Sequence, residues 1–349
     1  MNKHLLTLSA ALLLTFTAVA QGPRTPVFDP SYPQIHDPVL INCDGTWYMY
    51  ATSLGIEFLT SKDLVTWERG GRVFENPPQW VEKYVPGFRG HIWAPDINYH
   101  NGIYYLFYSC SSFGKNTSAI GVATNKTLNP ASPDYKWEDH GCVVNSVAGR
   151  DLWNAIDPNL AFDENGDGWL TFGSFWGGIK LVKLDPTCTK VAEPEVWFPI
   201  CRRPEGTAED TSKTDTAIKA DPRGHDFDPG NGAVEAPFII KHGDYYYLFA
   251  SYDLCCRGAN STYNVVVGRS AVITGPYLDA DGTPLMEGGG TLVAGGNERY
   301  PGVGHCGIAI KDGEEVMVMH GYDKEYNYGS KLLVRPIIWD AEGWPSVVL

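Results

Sequence analysis

The chain has 349 residues and a net charge of −14; 43% of its residues are hydrophobic, 13% aromatic and only 19% charged, with 38 Gly and 24 Pro. Such an acidic chain is a poor partner for nucleic acid, for an anionic membrane or for a polyanionic polysaccharide, and a neutral ligand suits it better. The apolar content supports one large all-β domain or two smaller ones, and the Gly and Pro content demands many turns.

The first 20 residues read as a secretory signal. Asn2-Lys3-His4 is a short basic stretch, residues 5–19 are apolar, and Ala18-Val19-Ala20 fits an A-x-A cleavage site. The run is too short, with the wrong flanks, for a membrane span. No Cys follows to carry a lipid. The expectation is an exported, soluble chain, periplasmic or extracellular, with residues 21–349 forming a single domain. That region holds eight Cys. Export permits disulfides, and Cys188 and Cys201 could close a loop, whereas the adjacent Cys255 and Cys256 are not expected to bond to each other. The absence of a C-x-x-C pair argues against a zinc site.

One phrase then recurs about five times: an acid or Ala-Pro, an apolar run, a Gly turn and an aromatic-rich run. It reads HDPVLINCDGTWYMYATS from His36, APDINYHNGIYYLFYSC from Ala94 and IDPNLAFDENGDGWLTFGSFW from Ile156. It returns as VEAPFIIKHGDYYYLFAS from Val234 and, more weakly, as GHCGIAIKDGEEVMVMHGY from Gly304. The short alternating apolar runs are strands, and Asp44-Gly45, Asn101-Gly102, Gly166-Asp167-Gly168 and His242-Gly243-Asp244 are their turns. Pro38, Pro95, Pro158 and Pro237 stand 57, 63 and 79 residues apart, a spacing that suits a four-stranded blade with loops. Five phrases predict a five-bladed β-propeller rather than a β-sandwich, with little helix. The polar, Gly/Pro-rich stretch 201–232 reads as a surface insertion before the fourth repeat.

Asp37, Asp157 and Glu235 stand at the start of three repeats, and radial repeats would bring them to one place. Glycosidic hydrolysis needs one protonated and one ionised carboxyl flanking the scissile bond. A second acidic run, Asp163-x-Asn165-x-Asp167-Gly168, opens like a calcium loop. Its twelfth position is Ser174 where a Glu is needed, so a polar hairpin turn explains it better.

The chain resembles glycoside hydrolase family 43, and within it the endo-1,5-α-L-arabinanases, from about Pro33 to the end. The motifs are HDP at 36–38, SKDLVTW at 61–67, HIWAPDI at 91–97, SSFGKNTSAIGVAT at 111–124 and AIDPN at 155–159. GSFWGGI at 173–179, VEAP at 234–237, CCRG at 255–258, STYNVVVGRS at 261–270, TGPY at 274–277 and GVGHCGI at 302–308 complete them. The resemblance implies a five-bladed propeller that cuts α-1,5 links of arabinan or arabino-oligosaccharides with inversion. Asp37 would be the general base, Glu235 the general acid, and Asp157 the residue that orients the acid and raises its pKa by like-charge proximity.

Trp93 and Phe113 would line the sugar pocket, since aromatic faces cover the C–H faces of sugars. Asn154 and Ser174 could hydrogen-bond sugar hydroxyls, and Trp176 could stack. His305, in the fifth repeat, would hold a mostly hydrated central cation, calcium being the leading choice. No organic cofactor is implied, and a monomer is the default. The rivals are an exo-acting arabinanase, α-L-arabinofuranosidase or β-xylosidase of the same family, and a propeller that binds sugar without cutting it. The presence of all three acids argues against the last.

Overall fold

The computed structural model describes residues 28–203 and 232–349. The expected signal segment and most of the stretch 201–232 lie outside the described residues. Strands dominate; the one α-helical turn among the described residues is α1 (Val81–Tyr84).

Blade one holds β1 (Val39–Cys43), β2 (Thr46–Tyr50), β4 (Glu57–Ser61) and β5 (Glu68–Arg72), with the short β3 (Ser53–Leu54) joining the next sheet. Blade two runs β6 (His91–His100), β7 (Ile103–Cys110), β8 (Ser118–Asn125) and β9 (Glu138–Ser146). Blade three runs β10 (Asn159–Phe162), β11 (Gly168–Phe172), β12 (Ile179–Lys183) and β13 (Trp197–Cys201). Blade four is β14 (Val234–His242), β15 (Tyr245–Tyr252), β16 (Asn264–Ser270) and β17 (Thr291–Ala294). Blade five is β18 (Val303–Lys311), β19 (Glu314–Asp323) and β20 (Gly329–Pro336), followed by the small pair β21 (Ile338–Trp339) and β22 (Pro345–Ser346). All the pairings are antiparallel and each blade runs in sequence order, so the expected five-bladed propeller is the observed fold. The N-terminal segment closes the ring: Ile35 N–H donates to Ser330 O and Leu332 N–H to Pro33 O, which sets Gln34 against Lys331 as a single antiparallel bridge on the outer edge of blade five.

Two local rules build the blades. The first is turn chemistry. Asp44-Gly45, Asn101-Gly102 and Asp312-Gly313 all have positive φ at both positions, the two-residue hairpin geometry that Asn-Gly and Asp-Gly favour. The acidic run at Asp163 is also a hairpin turn, its Oδ1 accepting the amides of Asn165 and Asp167. The second rule is alternation. In β2, Tyr48 and Tyr50 enter the core shared with blade two, while Trp47 and Met49 enter the core shared with blade five. In β15, Tyr246 and Leu248 face blade three, and Tyr247 and Phe249 face blade five. A strand covered on both faces must be apolar at nearly every position, which is why these runs read as continuous. Five core clusters result, one between each pair of neighbouring blades.

All eight cysteines are free. Cys188 and Cys201 do not close a loop. They belong to different interblade cores, Cys188 between blades two and three and Cys201 between blades three and four.

The inner edge of the ring carries a third regularity. Asp37, Ala94, Asp157, Ala236 and His305 have φ values of 51°, 43°, 57°, 52° and 50°. In blades two, four and five this left-handed residue sits in a register shift between the two inner strands. Each such conformation in a non-glycine residue costs about 1–3 kcal/mol and needs outside support. The support comes from the preceding blade each time. Ala94 N–H donates to Thr52 Oγ1 (2.8 Å), Asp157 N–H to Ser109 Oγ (2.9 Å) and Ala236 N–H to Asp157 Oδ2 (3.1 Å). His305 N–H donates to Ser251 Oγ (2.9 Å) and Asp37 N–H to His320 Nδ1 (3.2 Å). Ser109→Ala should leave the buried Asp157 amide unpaired and lower stability by about 1–3 kcal/mol. Urea unfolding checks this, and an unchanged midpoint would mean that the amide is satisfied elsewhere.

Candidate active site

The five left-handed residues bring Asp37, Asp157 and His305 to one place. Glu235 does not share their position. It stands one residue earlier, beside the left-handed Ala236, where His36, Trp93 and Gly304 stand in their own repeats. The expectation of three acids at equivalent repeat positions is therefore corrected to two acids and one offset neighbour. The offset has a physical reason. Glu235 pairs with Ser251 in the regular ladder just before the register shift, so its side chain leaves the strand in a different direction from those of the bulge residues.

Asp37 is buried and surrounded by cationic or polar groups. Its Oδ1 lies 2.9 Å from His36 Nδ1 and 3.1 Å from His305 Nδ1. Its Oδ2 accepts a 2.5 Å hydrogen bond from Thr52. Burial opposes its ionisation, but His36 first, then His305 and His320, outweigh that and hold the carboxyl well below its usual range. His36 is the partner that carries the charge: burial works against its proton, yet Asp37 raises its pKa well above the usual value. Burial lowers the pKa of His305 and, more strongly, of His320. A neutral His320 agrees with its Nδ1 accepting the Asp37 amide.

Glu235 is held from both sides. Its Oε2 accepts from Ser174 and its Oε1 from Tyr263, each at 2.8 Å. Burial pushes its carboxyl up to about 7 in spite of those two bonds, with Cys256 and Asp37 adding to the rise. Asp157 is raised well above the usual range by burial, then by Glu235 and Asp37, with the Ala236 amide partly offsetting them. The site thus sets Asp37, held low by its histidines, against Glu235 and Asp157, both held high by burial, the opposed shifts that acid–base hydrolysis of an acetal requires.

The other expected residues divide. Ser174 is buried and its hydroxyl is committed to Glu235, so it supports the acid. Asn154 is buried and its Oδ1 accepts from Ser118. Trp176 is buried in the GSFWGGI turn with φ 40°. Trp93 is half-buried with its indole N–H donating to His91. Phe113 is 81% exposed, an uncommon setting for a large apolar ring in a folded domain. Sequence reasoning missed His36, Thr52, Tyr263 and His320. Thr52 and His320, with Ser109 and Ser251, stand near the end of the second strand of their repeats, and that shared place was the signal available.

The donor set decides what ion could sit here. Potential ligand atoms of His36, Asp37 and His320 lie within 4.8 Å of one another, but the Nδ1 atoms of both rings already serve Asp37. His305 is partly buried, and its Nδ1 also faces Asp37 Oδ1, at 3.1 Å, which leaves its Nε2 as the atom it could offer an ion. Calcium takes six to eight oxygens, so an ion beside His305 would keep most of its water.

A propeller that gathers three buried carboxyls at the inner ends of its blades, one held low and two held high, has the architecture and the site of a glycoside hydrolase. The chain belongs to glycosyl hydrolases family 43, whose sequence profile matches residues 24–345. It is 49% identical over 313 residues to the extracellular exo-α-(1→5)-L-arabinofuranosidase of Cellvibrio japonicus, covering 90% of this chain and 86% of that one. It is 40% identical to the extracellular endo-α-(1→5)-L-arabinanase 1 of Bacillus subtilis, covering 97% and 94%. Among solved structures, the α-L-arabinanase of Cellvibrio cellulosa in complex with arabinohexaose superposes with a TM-score of 0.83 at 48% identity, covering 90% of this chain and 95% of that one. The protein is thus a member of the arabinanase and arabinofuranosidase branch of that family.

Two pH effects follow. Removing either hydrogen bond to Glu235, by Tyr263→Phe or Ser174→Ala, should raise its pKa further and move the alkaline limb of the kcat/KM profile upward by about 0.5–1 unit; an unmoved limb would separate that limb from Glu235. The folded-state pKa of Glu235 is raised, so its contribution to stability is complete below the ordinary value of 4.5 and is lost as the pH rises through about 7. Glu235→Gln should flatten that decline in thermal midpoints.

Proposed function

We propose that this protein hydrolyses α-1,5-linked L-arabinofuranosyl bonds by single displacement with inversion. The observation that carries the reading is the opposed setting of two carboxyls in one site: Asp37 paired with His36 at 2.9 Å and held low, Glu235 bonded only by the hydroxyls of Ser174 and Tyr263 and held high by burial. In this reading Asp37 takes a proton from the attacking water. Glu235 delivers its proton to the leaving oxygen, and Asp157 holds the Ala236 amide and keeps the acid protonated by its charge. Inversion asks for roughly 6.5–9.5 Å between base and acid, to leave room for the water. Trp93 and Phe113 supply aromatic surface for the arabinose rings, and the acidic, neutral-ligand character of the chain suits an uncharged polysaccharide.

The balance of likeness favours release from a chain end over internal cleavage. The exo-acting Cellvibrio japonicus enzyme is 49% identical and the endo-acting Bacillus subtilis enzyme 40%. The extracellular names of both relatives support export of this chain. Time-resolved product analysis on linear α-1,5-arabinan tests the mode. Small products of fixed size from the start indicate exo action, and early long fragments indicate endo action. Asp37→Ala and Glu235→Ala should each lower kcat by about 10²–10⁴-fold with the thermal midpoint retained. Activity near that of the parent in either variant would overturn the assignment of roles.

A hydrated calcium ion beside His305 belongs to the same proposal. It would add positive charge near the carboxylates and favour the ionised form of Asp37. Dialysis against a chelator should then lower both the thermal midpoint and activity, and added calcium should restore them. Identical melting curves before and after dialysis would exclude the ion.

A further inference from the structure

The CCRG segment brings two thiols to the edge of this site, and the functional reading above leaves them unused. Cys255 and Cys256 Sγ atoms stand 2.7 Å apart, and Cys256 is exposed. Their turn is fixed on both sides. Cys256 has φ 63° and its amide donates to Tyr322 OH at 2.7 Å, while Arg257 N–H donates to Ser261 Oγ. Tyr322 OH also lies 3.1 Å from His36 Nε2, and Cys256 Sγ lies 3.7 Å from that same nitrogen. The other nitrogen of His36 pairs with Asp37. One ring therefore links the thiol to the carboxylate.

We propose that Cys255 and Cys256 form a redox-active pair that closes into a vicinal disulfide, and that its state acts on the catalytic site through His36. The oxidant is a small-molecule or protein disulfide. The exposed Cys256 thiolate attacks one sulfur of that disulfide and expels one thiol. The Cys255 thiolate then attacks the Cys256 sulfur and expels the second. Two electrons pass to the oxidant, and the two cysteine protons end on the two released thiols. Adjacent residues have Cα atoms only about 3.8 Å apart, closer than ordinary bridges, so the bond is strained and readily reduced. That makes it a reversible modification rather than a structural staple. The contact chain says where the change is felt. Closing the bond replaces a thiol that can ionise against His36 Nε2 by a neutral sulfur, and it alters the turn whose amide is held by Tyr322.

The action on catalysis rests on the functional reading above; formation of the bond does not. The purified full-length protein is equilibrated with oxidised or reduced glutathione and then analysed by peptide mapping and by kinetics on arabino-oligosaccharide. The expected result is a 255–256 bridge in the oxidised form, and a several-fold difference in kcat/KM that dithiothreitol reverses. Cys255→Ser, and Cys255→Ala as a second variant, should retain activity under reducing conditions and, when oxidised, should carry a glutathione adduct on Cys256 in place of the 255–256 bridge. Free thiols at both positions under oxidising buffer would overturn the proposal, as would Cys256 bridged to another cysteine or identical kinetics in the two states. Should neither state cleave arabinan, the functional reading fails; the mapping then decides the bond, and calorimetric affinity for the oligosaccharide in the two states decides its effect on the site.

Discussion

Each blade of this propeller hands a side chain to the next blade's left-handed residue, and the site depends on that handover. A non-glycine residue at positive φ is a local cost, and four of these five precede a proline, which removes further freedom. A hydrogen bond to the amide offsets part of the cost, and it also fixes where the side chain of that residue points. Since the partner sits on the preceding blade, the bond joins the blades at their inner edge, while the apolar clusters join them further out. Blade closure and side-chain aim are one constraint. That is how Asp37 and His305, 268 positions apart in the chain, come within 3.1 Å.

The electrostatics follow from unequal company. Burial raises the pKa of every carboxyl here. Asp37 escapes because His36 first, then His305 and His320, face it. Glu235 receives only neutral donors, the hydroxyls of Ser174 and Tyr263, and these do not outweigh its desolvation. Asp157 receives one amide and faces two other carboxyls. Three acids in one enclosure thus acquire different protonation through the identity of their nearest partners, with no need for a difference in depth.

Much of this was legible in the chain. The recurring phrase reveals the blades because each strand must satisfy two neighbouring cores, which leaves unbroken runs such as DYYYLFA. The Asp-Gly and Asn-Gly turns reveal the hairpins because few other dipeptides tolerate two positive φ values. Two of the three acids follow from their proline. Glu235 was named correctly but treated as equivalent to the aspartates, although in VEAP it stands two residues before the proline and in IDP the Asp stands one before; the register shift gives that offset its meaning. The locks were hidden for a different reason. Thr52, Ser109, Ser251 and His320 are ordinary strand-end residues when taken alone, and their meaning appears only when the repeats are superposed. His36 and Tyr322 meet across the closure of the ring, and Tyr263 reaches Glu235 from the segment before β16; no local pattern reports contacts of that kind. The adjacent cysteines are free, as the sequence leads one to expect, but the sequence does not show that their thiols stand 2.7 Å apart in a turn with φ 63° at Cys256.

Blade three shows how tightly fold and chemistry are joined. Gly173 occupies the place that Thr52 holds in blade one: its amide donates to Ile156 O as that of Thr52 does to His36 O. It has φ 137°, and a Cβ there would come within 2.7 Å of Gly178 O. No side chain fits, so no hydroxyl from that strand can hold the Ala236 amide. The Asp157 carboxylate does so, reaching across from its own bulge. A buried carboxyl beside two others is a poor choice for stability alone, and a serine in an open turn would have held the amide at less cost. What Asp157 adds is a carboxyl beside Glu235, fixed by the same bond that orients the segment carrying it. The tight GSFWGGI turn therefore does more than connect strands: with no side chain able to fit at Gly173, the Ala236 amide is held by Asp157 instead.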